Sequence, residues 1–211
     1  DQPPQLDPSM PTAGPSKADV LKHLSLMKVR SEDRDIIVEG CGMLSWRAGY
    51  DNNKDWMLKE GFVTVTLKAL KKWPDDREVQ WLCAGALTSA ALYHEGIAEA
   101  AGSEGAVELV IEMMKRWPGD SKMQTGSMLG ELMSVSENNR KRWVAAGGIR
   151  QALEALHKFH DDYNVVLSEI TALSNGIQAD VQHFRFYGGL DLLINFLKVH
   201  RHDHRIIEEV M

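Results

Sequence analysis

Apolar residues recur every three or four positions in four stretches of this chain, and each stretch closes on the same polar stop. The clearest are GFVTVTLKALKKWPDD, from Gly61 to Asp76, and GAVELVIEMMKRWPGD, from Gly105 to Asp120. GGIRQALEALHKFHDD, from Gly147 to Asp162, and GGLDLLINFLKVHRHD, from Gly188 to Asp203, repeat the pattern. Each predicts an amphipathic helix entered through glycine and followed by aspartate. The opening glycines step by 44, 42 and 41 residues. A period of that length belongs to stacked two- or three-helix units, each too small to bury its own apolar stripe, so the stack is the folding unit.

Between these helices a three-part order returns. A long apolar run (IIVEGCGMLSW from Ile36, VQWLCAGALTSA from Val79, MQTGSMLGELMS from Met123, VVLSEITALSNG from Val165) leads to a polar turn and a short helix that ends at the next glycine. The pattern predicts an all-α solenoid over residues 17–211, with about four full units and a truncated last unit opened by HRIIEEVM. Ser16 and Asp19 form a capping-box signature before the stripe Val20, Leu21, Leu24, Met27, so a first helix is expected to cap the open end of the stack. Residues 1–16 hold five of the seven prolines and almost nothing to bury, which predicts an extended arm.

The punctuation has physical causes. Asp76, Asp120, Asp162 and Asp203 precede apolar helical runs, where a short carboxylate accepts from the unpaired N–H groups of the first turn. Three residues before each lies a ring (Trp73, Trp117, Phe159, His200), expected to pack between neighbouring units. Pro74 and Pro118 deny their helices the next N–H, and the glycines permit a tight turn.

Long helix, polar turn, short helix, a Gly-Ala-Ile-like junction (GAV 105–107, GGI 147–149, GGL 188–190, more loosely GFV 61–63) and second long helix: this order resembles the armadillo repeat. DREVQ after Trp73 and ALSN at 172–175 resemble the family's wording, and the likeness covers roughly residues 36–203. It implies a right-handed α-solenoid of armadillo-like repeats whose third helices line a concave groove that holds an extended peptide along an asparagine ladder. Laid over ALSN, the ladder positions here are Trp46, Ser89, Glu131 and Asn175, and only one is asparagine. Four residues earlier, where nuclear-import receptors of the family carry tryptophan, stand Gly42, Gly85, Ser127 and Thr171. Without paired tryptophan and asparagine, capture of nuclear-localisation signals is not expected. Glu39, Glu131 and Glu169 lie on the same helices and would favour a basic partner if they face the groove, with solvated helix carboxylates as the alternative. Trp46 is the expected anchor, or else a ring packed under the first helix.

Composition narrows the function classes. A formal charge of −6 and a pI near 5.8 argue against broad nucleic-acid contact. No stretch approaches the roughly 20 apolar residues of a membrane span. The opening DQPPQLDPSMPTAGPSK lacks the basic start and apolar core of a signal peptide, and it begins on Asp, which leaves room upstream for a targeting or lipid-attachment signal. Cys41 and Cys83 sit in apolar runs with no CxxC spacing and are expected to be buried thiols, compatible with a reducing compartment. Met43, Met113, Met114, Met128 and Met133 are expected in the core. His157, His160 and Asp161, like the histidines at 200, 202 and 204, match no closed zinc signature, so no metal or cofactor is expected. No nucleophile–base spacing, P-loop or glycine fingerprint suggests an enzyme. The expectation is a noncatalytic adaptor that binds protein, with a structural subunit of a larger assembly as the alternative.

Overall fold

The computed structural model describes residues 16–48, 51–125, 127–177 and 180–199, with the side chains at 46, 47, 51–53, 127, 128, 196, 197 and 199 outside that description. Thirteen α-helices and one 3-10 turn, and no strand, occur among the described residues. A leading helix, α1 (Lys17–Val29), is followed by four units of three. Each unit has a long inner helix, a short helix and an outer helix: α2 (Arg34–Arg47), α3 (Asp51–Lys59), α4 (Phe62–Lys72); then α5 (Arg77–Ala91), α6 (Glu95–Ser103), α7 (Ala106–Arg116). The third unit is a 3-10 turn (Ser121–Gln124) with α8 (Ser127–Ser134), α9 (Glu137–Ala145) and α10 (Gly148–Lys158). The fourth is α11 (Tyr163–Gly176), α12 (Val181–Phe186) and α13 (Gly189–Val199).

Counterpart helices of adjacent units pack on one another: α2 on α5, α5 on α8, α8 on α11 along the inner side, and α1, α4, α7, α10, α13 in succession along the outer side. One continuous core runs through the stack from Val20 to Phe184. The leading helix behaves as expected. Ser16 and Asp19 exchange their capping bonds, and Val20, Leu24 and Met27 are buried against the first unit.

The repeated punctuation is visible residue by residue. Gly61, Gly105, Gly147 and Gly188 have φ of 73°, 94°, 85° and 73°, a left-handed backbone that other residues rarely adopt, and each turns the chain into its outer helix. Asp33, Asp76, Asp120 and Asp162 cap the inner helices or, for Asp120, the 3-10 turn. Trp73 and Trp117 are half-buried against the core, and Phe159 is half-buried at the same joint. Asp203 and His200 lie outside the described residues. Met113, Met114 and Met133 are buried and Met43 is half-buried; the Met128 side chain is outside the description.

Two devices tie the joints. Gln80 donates its amide to the Leu70 and Trp73 carbonyls (2.7 and 3.0 Å), and Gln124 does the same to Met114 and Trp117 (2.6 and 3.1 Å), so α4 and α7 each end on a buried glutamine instead of water. Arg34 forks onto Asp76, and Arg77, beside Asp76, forks onto Asp120. The next step of this ladder stops because Ser121 stands where arginine would. In each clamp the guanidinium holds the partner carboxyl below the ordinary carboxylate range. A depressed folded-state value means the contribution is complete above the unfolded Asp value of about 3.9 and fades as pH falls through the folded one. Asp76→Asn is therefore expected to lower the thermal midpoint slightly at pH 7, and the gap to wild type should close by about pH 2. An equal gap at both pH values would contradict this.

Two expectations are corrected. The run from Met123 is not one long helix but a 3-10 turn followed by the short α8. Thr125 turns its hydroxyl back onto the Lys122 carbonyl (2.8 Å), and Gly126 follows in the sequence, a poor helix former. Cys41 and Cys83 are not free thiols but a disulfide, with Cα atoms 4.9 Å apart and both residues fully buried. Their separation of 42 residues is one repeat, so they hold equivalent positions on α2 and α5. Gly42, facing Leu82, and Gly85, facing Ser45, are small neighbours along the contact of those helices. The bond removes the argument for a reducing compartment that rested on free thiols.

Candidate functional site: the face of the inner helices

With α5 and α8 packed between inner helices, and α2 and α11 packed on one each, every inner helix keeps a stripe open. On α5, Val79, Gln80, Cys83, Ala84, Ala86, Leu87, Thr88, Ala90 and Ala91 are buried, while Glu78, Trp81, Leu82, Gly85 and Ser89 are exposed or half-buried. These lie zero, four, seven, eight and eleven residues before Ser89, the spacing of one helix face. On α11 Asn164, Leu167, Thr171 and Asn175 hold four of the same offsets and are open, as is Ser174, while Ser168, at the offset of Leu82, is buried. On α2 the open residues include Asp35, Val38, Glu39, Gly42 and Met43.

Ser89, Glu131 and Asn175 are all half-buried on this face. Glu39, seven residues before its ladder position, is exposed on the same side. The Trp46 side chain lies outside the description. Glu169 departs from expectation: it is 1 % exposed. It lies six residues before Asn175, and six helical residues turn a side chain about 120° away from the ladder direction. Its carboxylate therefore belongs to the interior rather than to the groove.

Trp81 was not anticipated. It stands eight residues before Ser89, and Val38 and Leu167 hold the same offset on α2 and α11. An offset of eight returns to within about 80° of the starting direction, so the ladder alignment contains this apolar column for a reader who follows it two turns back. Gly42 and Gly85, both half-buried, add small residues to the same side of α2 and α5. Neither the Trp81 indole N–H nor the Asn175 amide makes a hydrogen bond among the described residues.

The electrostatics are local. Burial pushes the Glu131 carboxyl above its ordinary range, while the nearby Lys54 ammonium pulls it back. Lys54 is itself buried and donates to the Leu92 carbonyl at the end of α5. Glu78, by contrast, is engaged by Arg34 at 2.8 Å. Asp35, although exposed, also lies 3.6 Å from Arg34. Glu39 is thus the exposed acid at the first end of the face that makes no ion pair among the described residues, and the far end at Thr171, Ser174 and Asn175 is polar without charge.

No family model matches the chain, and no curated protein does. Solved structures do. A designed armadillo repeat protein superposes with a TM-score of 0.76 at 15% identity, over 90% of this chain and 79% of that one. The chain has the armadillo-repeat fold. A second likeness of this armadillo-type solenoid is to computationally designed armadillo repeat proteins for modular peptide recognition (TM-score 0.73, 16% identity, 90% of this chain and 79% of that one). A third is to an engineered protein (TM-score 0.79, 24% identity, 92% and 76%). Among its described residues no helix is long and apolar enough to cross a membrane.

Proposed function

We propose that this armadillo-type solenoid is a noncatalytic protein-binding adaptor that holds an extended partner segment across α2, α5, α8 and α11. The observation that carries the reading is the half-buried Trp81 on an open stripe of α5, with Glu39 on α2 and Glu131 on α8 to either side. Likeness to designed proteins built for peptide recognition supports the same use of the face. Exposed Glu39 and Asp35 favour a segment with lysine or arginine at one end, and Trp81 with Leu82 offers an apolar seat for the residue beside it. Ser89, Glu131 and Asn175 continue the contact, Trp46 belongs to it as the ladder position of α2, and the missing tryptophan array speaks against a nuclear-localisation-signal receptor.

The test is selection of linear peptides from a random display library on the immobilised chain, followed by titration of the winners. Trp81→Ala should weaken them by tenfold or more, as expected for an aromatic hot spot, and Glu131→Arg should weaken basic ones further. Winners that bind wild type and Trp81→Ala equally would sink the proposal.

A second reading, a subunit docked constitutively in a larger assembly, is favoured by Phe186, Leu190 and Ile194, which are 81%, 53% and 41% exposed on the last two helices. Under that reading the purified chain self-associates in sedimentation, and Phe186→Ser suppresses it.

A further inference from the structure

Away from the inner face, a cavity of about 340 Å³ opens between α1, α2 and α4. Its floor is apolar: Met27, Ile37 and Ala69 are buried there, with Val65 beside them. Its rim is basic, with Lys28 at the end of α1 and Lys68 and Lys72 on α4. Glu32, at the mouth, pairs with Lys72. Lys28 and Lys68 have no carboxylate partner among the described residues. At the following joint the outer helices are bridged instead, by Arg116 on Asp75 and Lys71 on the Glu104 carbonyl (3.1 Å).

An apolar floor beneath two uncompensated ammonium groups has the chemistry of an amphiphile site, and the volume lies at the lower end of small-molecule pockets. Two like charges on one rim repel until an anion lies between them, whereas the floor rewards a tail that leaves water. We propose that this cavity binds a small amphiphile with a single anionic head, of the medium-chain alkyl carboxylate class. The carboxylate sits between Lys28 and Lys68, and the chain lies on Met27, Ile37, Val65 and Ala69. The site is independent of the inner face.

Calorimetric titration of the full chain with octanoate tests this, with butanoate supplying the head without the tail and octanol the tail without the head. Octanoate should bind saturably, one per chain, and both controls at least tenfold more weakly. The double variant Lys28→Gln, Lys68→Gln changes only exposed side chains and should lose tenfold or more. Ala69→Leu, which fills the floor, should lose as much while its melting curve shows a folded chain. Unsaturable uptake, or equal binding by the lysine double variant, overturns the proposal.

Discussion

Replacing Trp143 by alanine is expected to cost about 3–5 kcal/mol, the range for removing a large ring from a closed core. Trp143 is 1 % exposed on α9, four residues before Gly147. Its ring lies between the first residue of α10 and the last of α11. A Cβ at Gly148 would come within 2.1 Å of the indole nitrogen, and one at Gly176 within 2.1 Å of Cζ3. Those glycines are the space the ring occupies. The fourth unit repeats the arrangement with Phe184, whose ring would meet a Cβ at Gly189 at 2.3 Å. The first two units carry Met57 and Ala101 at the equivalent position and need no second glycine, reading Gly61-Phe62 and Gly105-Ala106. Gly148→Ala alone should thus destabilise by about 1–3 kcal/mol through overpacking. Combined with Trp143→Met, it should cost clearly less than the two single changes added together. Chemical denaturation of the three variants decides it, and strict additivity would refute the paired-size argument.

Loss of the Cys41–Cys83 bond should have the next largest effect. The bond closes a loop spanning a separation of 42 residues, and the loop-entropy account gives about 4 kcal/mol for a closure of that length. Cys41→Ala with Cys83→Ala should show most of this loss. Reductant added to the folded chain should act only slowly, because both residues are completely covered. Mass spectrometry after alkylation in denaturant, with and without prior reduction, reports the bond directly. Equal unfolding midpoints for the wild type and the double variant would remove its claimed contribution.

Architecture was legible because its signals are local and repeated. A left-handed glycine, a capping aspartate and an apolar stripe each act within a few residues, and four copies in register leave little room for another reading. What escaped the sequence depends on neighbours. The disulfide joins residues one repeat apart, and the signal that could have found it is the equality of that spacing with the period. The break after Gln124 goes with the Thr125 hydroxyl folding back onto the Lys122 carbonyl, a choice the apolar pattern does not record. On the inner face, Glu39 and Glu131 keep the angular relation that the ladder implies, whereas Glu169 is a third of a turn out of phase. Trp81 was hidden by attention to the ladder and the position four residues earlier, although its offset of eight lies on the same side. The doubled glycines at 147–148 and 188–189 looked like plain junctions. Only the rings of Trp143 and Phe184 explain their second members.

The arginine–aspartate clamps run from Arg34 to Asp120 and then cease, and the covalent tie lies within the same span. A stack whose fasteners, among the described residues, gather toward one end should open first at the other. Under the proposed function, the leading units would then hold the firmer part of the face for a partner segment.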